Sequence, residues 1–154
     1  MARHFKFWGP VLLWMALIYI GSTDLLSSTH TSRFIGPFLR WFIPGIQEET
    51  IRSVQYFVRK CAHISEYAVL AVLVLRAVRN GNWKEWSWCA ARRAVLICAF
   101  YACTDELHQL FEASRDSRVS DVGFDTLGAI ASILILRSLC KVRSKSSDPE
   151  QGPG

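Results

Sequence analysis

Charged residues along this chain fall in blocks that leave apolar windows between them, a pattern that predicts helices built to cross a lipid bilayer. The first window, 7–23, follows Arg3 and Lys6 and is just long enough for a span. A positive start before an apolar run also describes a signal peptide. Ile20-Gly21-Ser22 is a poor small-x-small cleavage site, so an uncleaved anchor is the preferred reading. Pro10 falls in the first turns of this helix, where it is tolerated. Residues 24–57 are mixed, with Asp24 and a Ser/Thr cluster leading into the aromatic run Phe34-Ile-Gly-Pro-Phe-Leu-Arg-Trp-Phe-Ile-Pro44. That run is expected to lie at the membrane interface, with Arg40 directed to headgroups. Pro44-Gly45 breaks the chain, and Ile51, Val54, Phe57 and Val58 then recur at the spacing of an amphipathic helix that runs on into a second span, 61–78.

A polar hairpin around Asn80-Gly81-Asn82 precedes the third window, 94–111. This segment is apolar only as far as Asp105, so it crosses only if the polar stretch to Phe111 belongs to the same helix. A short turn at 112–120 carries Arg115, Asp116 and Arg118, and a fourth span follows at 121–140. The chain then becomes basic and finally rich in Ser, Pro and Gly, so 144–154 is expected to be a disordered cytoplasmic tail behind one transmembrane domain, 1–143. The predicted fold class is all-α, a bundle of four transmembrane helices with an interfacial amphipathic segment between the first and second.

Composition alone would suit an ordinary soluble domain, at 51% hydrophobic and 20% charged residues with a mean hydropathy of +0.18. The distribution of the charges and the six Trp, nine Phe and four Tyr favour a membrane instead. The net charge of +5 reads as orientation, because no basic stripe is interleaved with base-stacking aromatics and a nucleic-acid partner is thereby disfavoured. The five cysteines form no C-x-x-C pair and are read as small buried hydrophobes. Lys and Arg are more numerous in the N-terminal segment, the 76–93 loop and the tail than in the 24–60 and 112–120 segments, which puts both termini on the cytoplasmic side.

This orientation has a consequence for the polar residues. His63 and Glu66 open the second span, Asp105, Glu106, His108 and Gln109 close the third, and Asp121 and Asp125 open the fourth, so all converge on the extracytoplasmic half of the bundle. Asp105, His108 and Gln109 share one helix face, with Glu106 about 100° round. A charged side chain at mid-membrane costs about 2.5–3.5 kcal/mol on insertion scales, so these groups are expected to face one another, water or a cavity. The residues support three readings: interhelical hydrogen bonding that only holds the bundle together, acid–base or metal chemistry from the paired Asp105-x-x-His108 and His63-x-x-Glu66 spacings, and anion binding at helix N-termini beside Arg59, Lys60, Arg115 and Arg118.

Taken in order, Arg59-Lys60-x-x-His63-x-x-Glu66-Tyr67, Tyr101-x-x-x-Asp105-Glu106-x-His108-Gln109-x-Phe111-x-x-x-Arg115 and Asp121-x-x-x-Asp125-x-x-Gly128 resemble the signature of the VanZ-like family of bacterial membrane proteins. The resemblance covers roughly residues 5–140. It implies a small multi-span inner-membrane protein and, in the family's best-known member, reduced susceptibility to teicoplanin, a lipid-tailed glycopeptide that acts outside the cell. The motif residues carried over are Lys60, His63, Glu66, Tyr67, Asp105, Glu106, His108, Gln109, Arg115, Asp121 and Asp125. Of these, His63, Glu66, Asp105, Glu106, His108 and Asp125 are the candidate acid–base or ligand groups, and Lys60, Tyr67, Gln109, Arg115 and Asp121 the candidate binding groups. The expected function is an outward-facing polar pocket that binds a membrane lipid or lipid-linked cell-envelope precursor, with its chemical modification left open. A divalent metal is the one cofactor under consideration. The alternative is a non-catalytic membrane module whose network is structural and whose surface engages a partner protein.

Overall fold

Residues 48–78 and 88–109 contain neither Gly nor Pro, which favours helix there, and in the computed structural model five α-helices make up the regular structure of the described residues, 2–23, 28–83, 85–110 and 119–146. They are α1 (Ala2–Ser22), α2 (Ser28–Phe42), α3 (Glu48–Val78), α4 (Trp88–Gln109) and α5 (Val119–Ser146). The protein is all-α, with no strand among the described residues. Within α1, α3 and α5, the segments His4–Ser22, Glu48–Val78 and Ser120–Val142 are long and apolar enough to cross a membrane. At 22 residues α4 has the length, but it carries Arg92 and Arg93 towards one end and Asp105 and Glu106 towards the other.

Several boundaries differ from those the sequence predicts. α1 begins at Ala2, which moves Pro10 out of the first turns and into the helix interior, a position that membrane helices accommodate. α4 begins at Trp88, well ahead of residue 94, because the Ser87 side chain caps it by accepting a hydrogen bond from the Ala90 N–H at 3.3 Å. α5 continues to Ser146, past residue 143. Phe111 and the 112–118 part of the predicted turn, Asp24, and residues 147–154 lie outside the described residues. As the pattern predicts, the amphipathic stretch after Gly45 and the second span form one uninterrupted helix, α3.

The aromatic run of 34–44 lies largely on α2, which at 15 residues is too short to cross and packs on α3 alone among the described helices. Phe38, Trp41 and Phe42 on α2 are exposed and stack on one another. Arg40 departs from its expected role: its guanidinium pairs with Glu48 at the start of α3 instead of reaching for headgroups. The pair staples the turn at Pro44-Gly45, where Gly45 has φ +92°.

The core is built from stripes that can be read off each helix. Tyr67, Leu70, Ala71 and Val74 on α3 are buried at i, i+3, i+4 and i+7. On α4 the stripe is Ala90, Ala94, Cys98 and Ala102, small side chains that let neighbouring helices approach closely. α5 contributes Ala129 and Ile133, and α1 contributes Val11 and Ile18. Of the five cysteines only Cys98 is buried; Cys61, Cys89 and Cys103 are exposed and Cys140 is half-buried, so the small-hydrophobe reading holds for one of them. Cys61, Cys89 and Cys103 occupy helix faces left open among the described residues.

The polar contacts fix the directions of the helices. Trp14 on α1 donates to the Glu66 carbonyl on α3 while Phe7 packs beside Arg76, so α1 and α3 run in opposite directions. Lys60 pairs with Asp121, and Ile64 lies against Gly128, so α3 and α5 run the same way. Ser22 at the end of α1 meets Asp105 near the end of α4, which aligns those two. α3 is the hub, packing on each of the other four helices.

At Gly128 the α3 and α5 backbones come so close that an added Cβ would sit 2.5 Å from the Ile64 carbonyl oxygen. Gly128→Ala is therefore expected to force the helices apart and lower stability by about 1–3 kcal/mol. Gly123→Ala, where a Cβ meets nothing within 4 Å, is expected to be neutral or stabilising. Thermal unfolding of both variants in detergent checks this.

Candidate functional site

The buried stripes do not end where the apolar residues end. On α4 the Ala94, Cys98, Ala102 line continues through Asp105, Glu106 and Gln109, which are 3%, 7% and 2% exposed. On α5 the Gly128, Ala129 line starts one turn earlier at Asp125, 2% exposed. Helical register therefore carries these polar side chains into the bundle with the core residues. Tyr67 on α3, fully buried, lies within Coulombic reach of Asp105, Asp125 and Glu66.

Asp105 is the best-connected member. Its Oδ2 accepts a hydrogen bond from Ser22 Oγ at 2.9 Å and another from Gln109 Nε2 at 3.0 Å, and the Gln109 amide also lies 3.4 Å from Ser22 Oγ. Nearby, Tyr101 Oη donates to the Met15 carbonyl at 2.6 Å and Trp14 Nε1 donates to the Glu66 carbonyl at 2.9 Å. Together these bonds fasten α1 to α3 and α4. Ser22, Tyr101 and Trp14 are absent from the set of site residues that the sequence suggests. The available signal for Ser22 was its place at the end of the first apolar window, at the depth where the other polar groups gather.

Across the bundle, Lys60 of α3 forms an ion pair with Asp121 of α5, both largely buried. Asp125 is one turn deeper, within Coulombic reach of Glu106, Asp105, Asp121 and Lys60. The Tyr67 hydroxyl is buried with no hydrogen-bond partner among the described residues, although its ring packs 6.2 Å from that of Tyr101.

The two histidines stand apart from this centre. His63 Nδ1 is 3.7 Å from Glu66 Oε2 on the same helix, and His108 turns to α1, its ring centroid 4.5 Å from that of Tyr19. Asp105 and Gln109 thus share the face the sequence gives them, while His108 sits beside it and Glu106 is buried on the other flank. The structure brings Lys60, Tyr67, Asp105, Glu106, Gln109, Asp121 and Asp125 into one cluster, with the His63–Glu66 pair at its edge. Arg115 lies outside the described residues.

Chemically, the cluster is rich in acceptors and poor in free cations. Lys60, one residue on from Arg59, is engaged by Asp121. No three His, Cys, Asp or Glu side chains among the described residues are placed to hold a metal ion, so the two i, i+3 motifs do not combine into a metal shell. Tyr67, Asp105, Gln109 and Asp125 are buried, while Lys60, His63, Glu66 and Asp121 at the edge of the cluster are partly exposed. Such acids suit amine and hydroxyl donors, and a carboxyl that takes up a proton becomes a donor itself.

Interhelical hydrogen bonds in membrane proteins contribute about 0.6 kcal/mol on average and about 1.7 at most. Asp105 collects two donors on one oxygen, so the Ser22–Asp105 coupling is expected near the upper end, about 1–2 kcal/mol. A double-mutant cycle with Ser22→Ala and Asp105→Ala, read by unfolding in detergent, measures it. Asp105→Asn keeps an acceptor and is expected to cost less than Asp105→Ala.

All of these residues fall within the stretch, residues 7–141, that matches the family model described as VanZ/LLP1. No curated protein and no solved structure matches the chain. The family match covers most of the sequence, the described part of it is helical, and three of the helices are long and apolar enough to span a membrane. The chain belongs to the VanZ/LLP1 family.

Proposed function

We propose that this protein is a four-crossing inner-membrane protein whose acidic cluster receives the polar head of a lipid or lipid-linked cell-envelope component. The fourth crossing is α4. Because α3 and α5 run in the same direction side by side, the chain must return across the same thickness between them, and α4 is the helix available for that return. Its charges are compatible with this role, since Arg92 and Arg93 sit near one end and Asp105 and Glu106 are buried against other helices. With 1–143 as one transmembrane domain and both termini cytoplasmic, the cluster faces the extracytoplasmic half of the bilayer.

The observation that carries the ligand assignment is the burial of three carboxylates, Asp105, Glu106 and Asp125, around a Tyr67 hydroxyl that has no hydrogen-bond partner among the described residues. Asp105 has a structural explanation in Ser22 and Gln109. No such explanation is on hand for Asp125, whose near neighbours include three further acids and a lysine already paired with one of them. A buried ionisable group of this kind in a membrane helix reads by default as functional. An amine or hydroxyl entering between α3, α4 and α5 meets Glu106, Asp125 and Tyr67, with the Lys60–Asp121 pair at the rim and the His63–Glu66 pair placed to pass a proton. The second reading, a module held together by its polar network while its surface engages a partner, is favoured by the Ser22–Asp105–Gln109 bonding and by the other polar contacts that fasten the helices.

Glu106→Gln and Asp125→Asn separate the two. The purified protein is titrated with phosphatidylethanolamine and, separately, with a polyprenyl-diphosphate-linked sugar, and thermal unfolding is followed. Binding is expected to raise the wild-type midpoint by several degrees, as about 100-fold saturation contributes about 2.7 kcal/mol. Both variants are expected to lose that rise while keeping the wild-type midpoint without ligand. Variants that unfold instead point to the structural reading.

The topology is checked by thiol labelling of intact cells. In a chain retaining only Cys89, exposed at the start of α4, an impermeant maleimide is expected to react only after the membrane is opened. A single cysteine placed at exposed Gln47, between α2 and α3, is expected to react from outside.

A further inference from the structure

At the end of the bundle away from the acidic cluster, the described ionisable side chains are almost uniformly basic: Lys6, Arg76, Arg79, Arg92, Arg93, Arg137 and Lys141, with Glu85 as the acid among them. Most of these cations are occupied. Lys6 and Arg76 lie on the ring of Phe7, Arg79 lies on Trp83 and donates to the Glu85 carbonyl, and Arg137 lies 4.3 Å from the ring centre of Trp88. Arg92 and Arg93, exposed in the second turn of α4, make no ion pair or hydrogen bond among the described residues.

Each of these arginines tops an apolar groove. Arg93, with Trp8, Asn80, Leu96 and Ile97, lines a groove of about 430 Å³ between α1 and α4, where those two helices barely touch. Arg92, with Trp88, Val95, Leu96 and Ile133, lines another of about 330 Å³ between α4 and α5. Both volumes are those of small-molecule sites. Leu96 belongs to both grooves, because it lies i+4 from Arg92 and i+3 from Arg93 and forms the ridge between them.

We propose that this end of the protein holds one diacyl anionic phospholipid astride α4, its phosphate between Arg92 and Arg93 and one acyl chain in the groove on each side of Leu96. Charge selects the anionic headgroup: two arginines at adjacent positions of α4, one over each groove and with no ion pair among the described residues, match a phosphate that carries no neighbouring ammonium, and guanidinium holds phosphate oxygens through paired N–H donors. The two-groove form selects a two-tailed lipid over a free phosphate or a single-chain amphiphile. The site is independent of the acidic cluster and of what binds there.

The test uses the full chain reconstituted in phosphatidylcholine vesicles doped with phosphatidylglycerol, then extracted into mild detergent and weighed by native mass spectrometry. One retained phosphatidylglycerol per protein is expected, enriched over phosphatidylcholine. Each basic group near an anionic headgroup is worth roughly five-fold, so Arg92→Gln with Arg93→Gln is expected to reduce retention about thirty-fold. Arg92→Lys with Arg93→Lys is expected to keep most of it. Lys6→Gln with Lys141→Gln removes the same charge from the same end without touching either groove and is expected to leave retention unchanged. Equal loss in the two glutamine pairs would reduce the effect to a diffuse basic surface and overturn the proposal. Undiminished retention by the Arg92→Gln, Arg93→Gln chain overturns it too, and so does its failure to fold, which would assign both arginines to the bundle itself.

Discussion

The close approach of α3 and α5 at Ile64 and Gly128 is the constraint on which the rest of the arrangement depends. A glycine there lets a carbonyl stand where a side chain would otherwise be, and the same contact sets the depth at which everything above it meets. One turn before Ile64 on α3, and two turns before Gly128 on α5, Lys60 reaches Asp121; Asp125, between Asp121 and the glycine, comes within range of Tyr67. Slide or spread the two helices and the ion pair, the tyrosine and the aspartate lose their register together. α4 then has only to lay its small-residue stripe against this pair for Glu106 and Asp105 to arrive at the same level.

Packing and polarity are therefore one design in this bundle. The alanines and the cysteine that let α4 approach lie on the same stripe as Asp105 and Glu106, and the polar groups occupy the next positions along it. In hydrocarbon this continuity matters more than in water, because lipid tails offer nothing to a stranded carboxylate. The two ends of the molecule answer the membrane differently. One end places acids inside and seals them with neighbouring helices; the other places arginines outside, several of them resting on aromatic rings.

Much of this was legible in the residue pattern. Charge-free windows located α1, the apolar part of α3 and α5, and the three polar motifs pointed to the family. The uninterrupted passage from the amphipathic stretch into the second span was also readable, since nothing between Ile51 and Val78 breaks a helix. The start of α4 was not, because Ser87 acts through a cap that a hydropathy window does not register. Nor was the division of the polar face: i, i+3 and i+4 spacing puts His108 with Asp105 and Gln109, and only the position of α1 decides that His108 meets Tyr19 while its neighbours turn inward. Cysteine exposure failed for the same reason. Burial is a property of what stands opposite, and a single helix's sequence does not specify that.

The bond from Ser22 to Asp105 joins residues 83 positions apart, and this bears on how the molecule is made. A chain inserted from its N-terminus commits α1 to the bilayer long before the acid it will bind has been synthesised. Ser22 ends its helix at the rim of the span, where water can serve its hydroxyl in the interval, so the first helix waits without a stranded group in hydrocarbon. Asp105 enters late, at the trailing end of its own helix, and finds a donor already in place. α5, which carries Asp121 and Asp125, follows α4 in the chain, so the cluster is complete only once α5 has packed against α3 and α4.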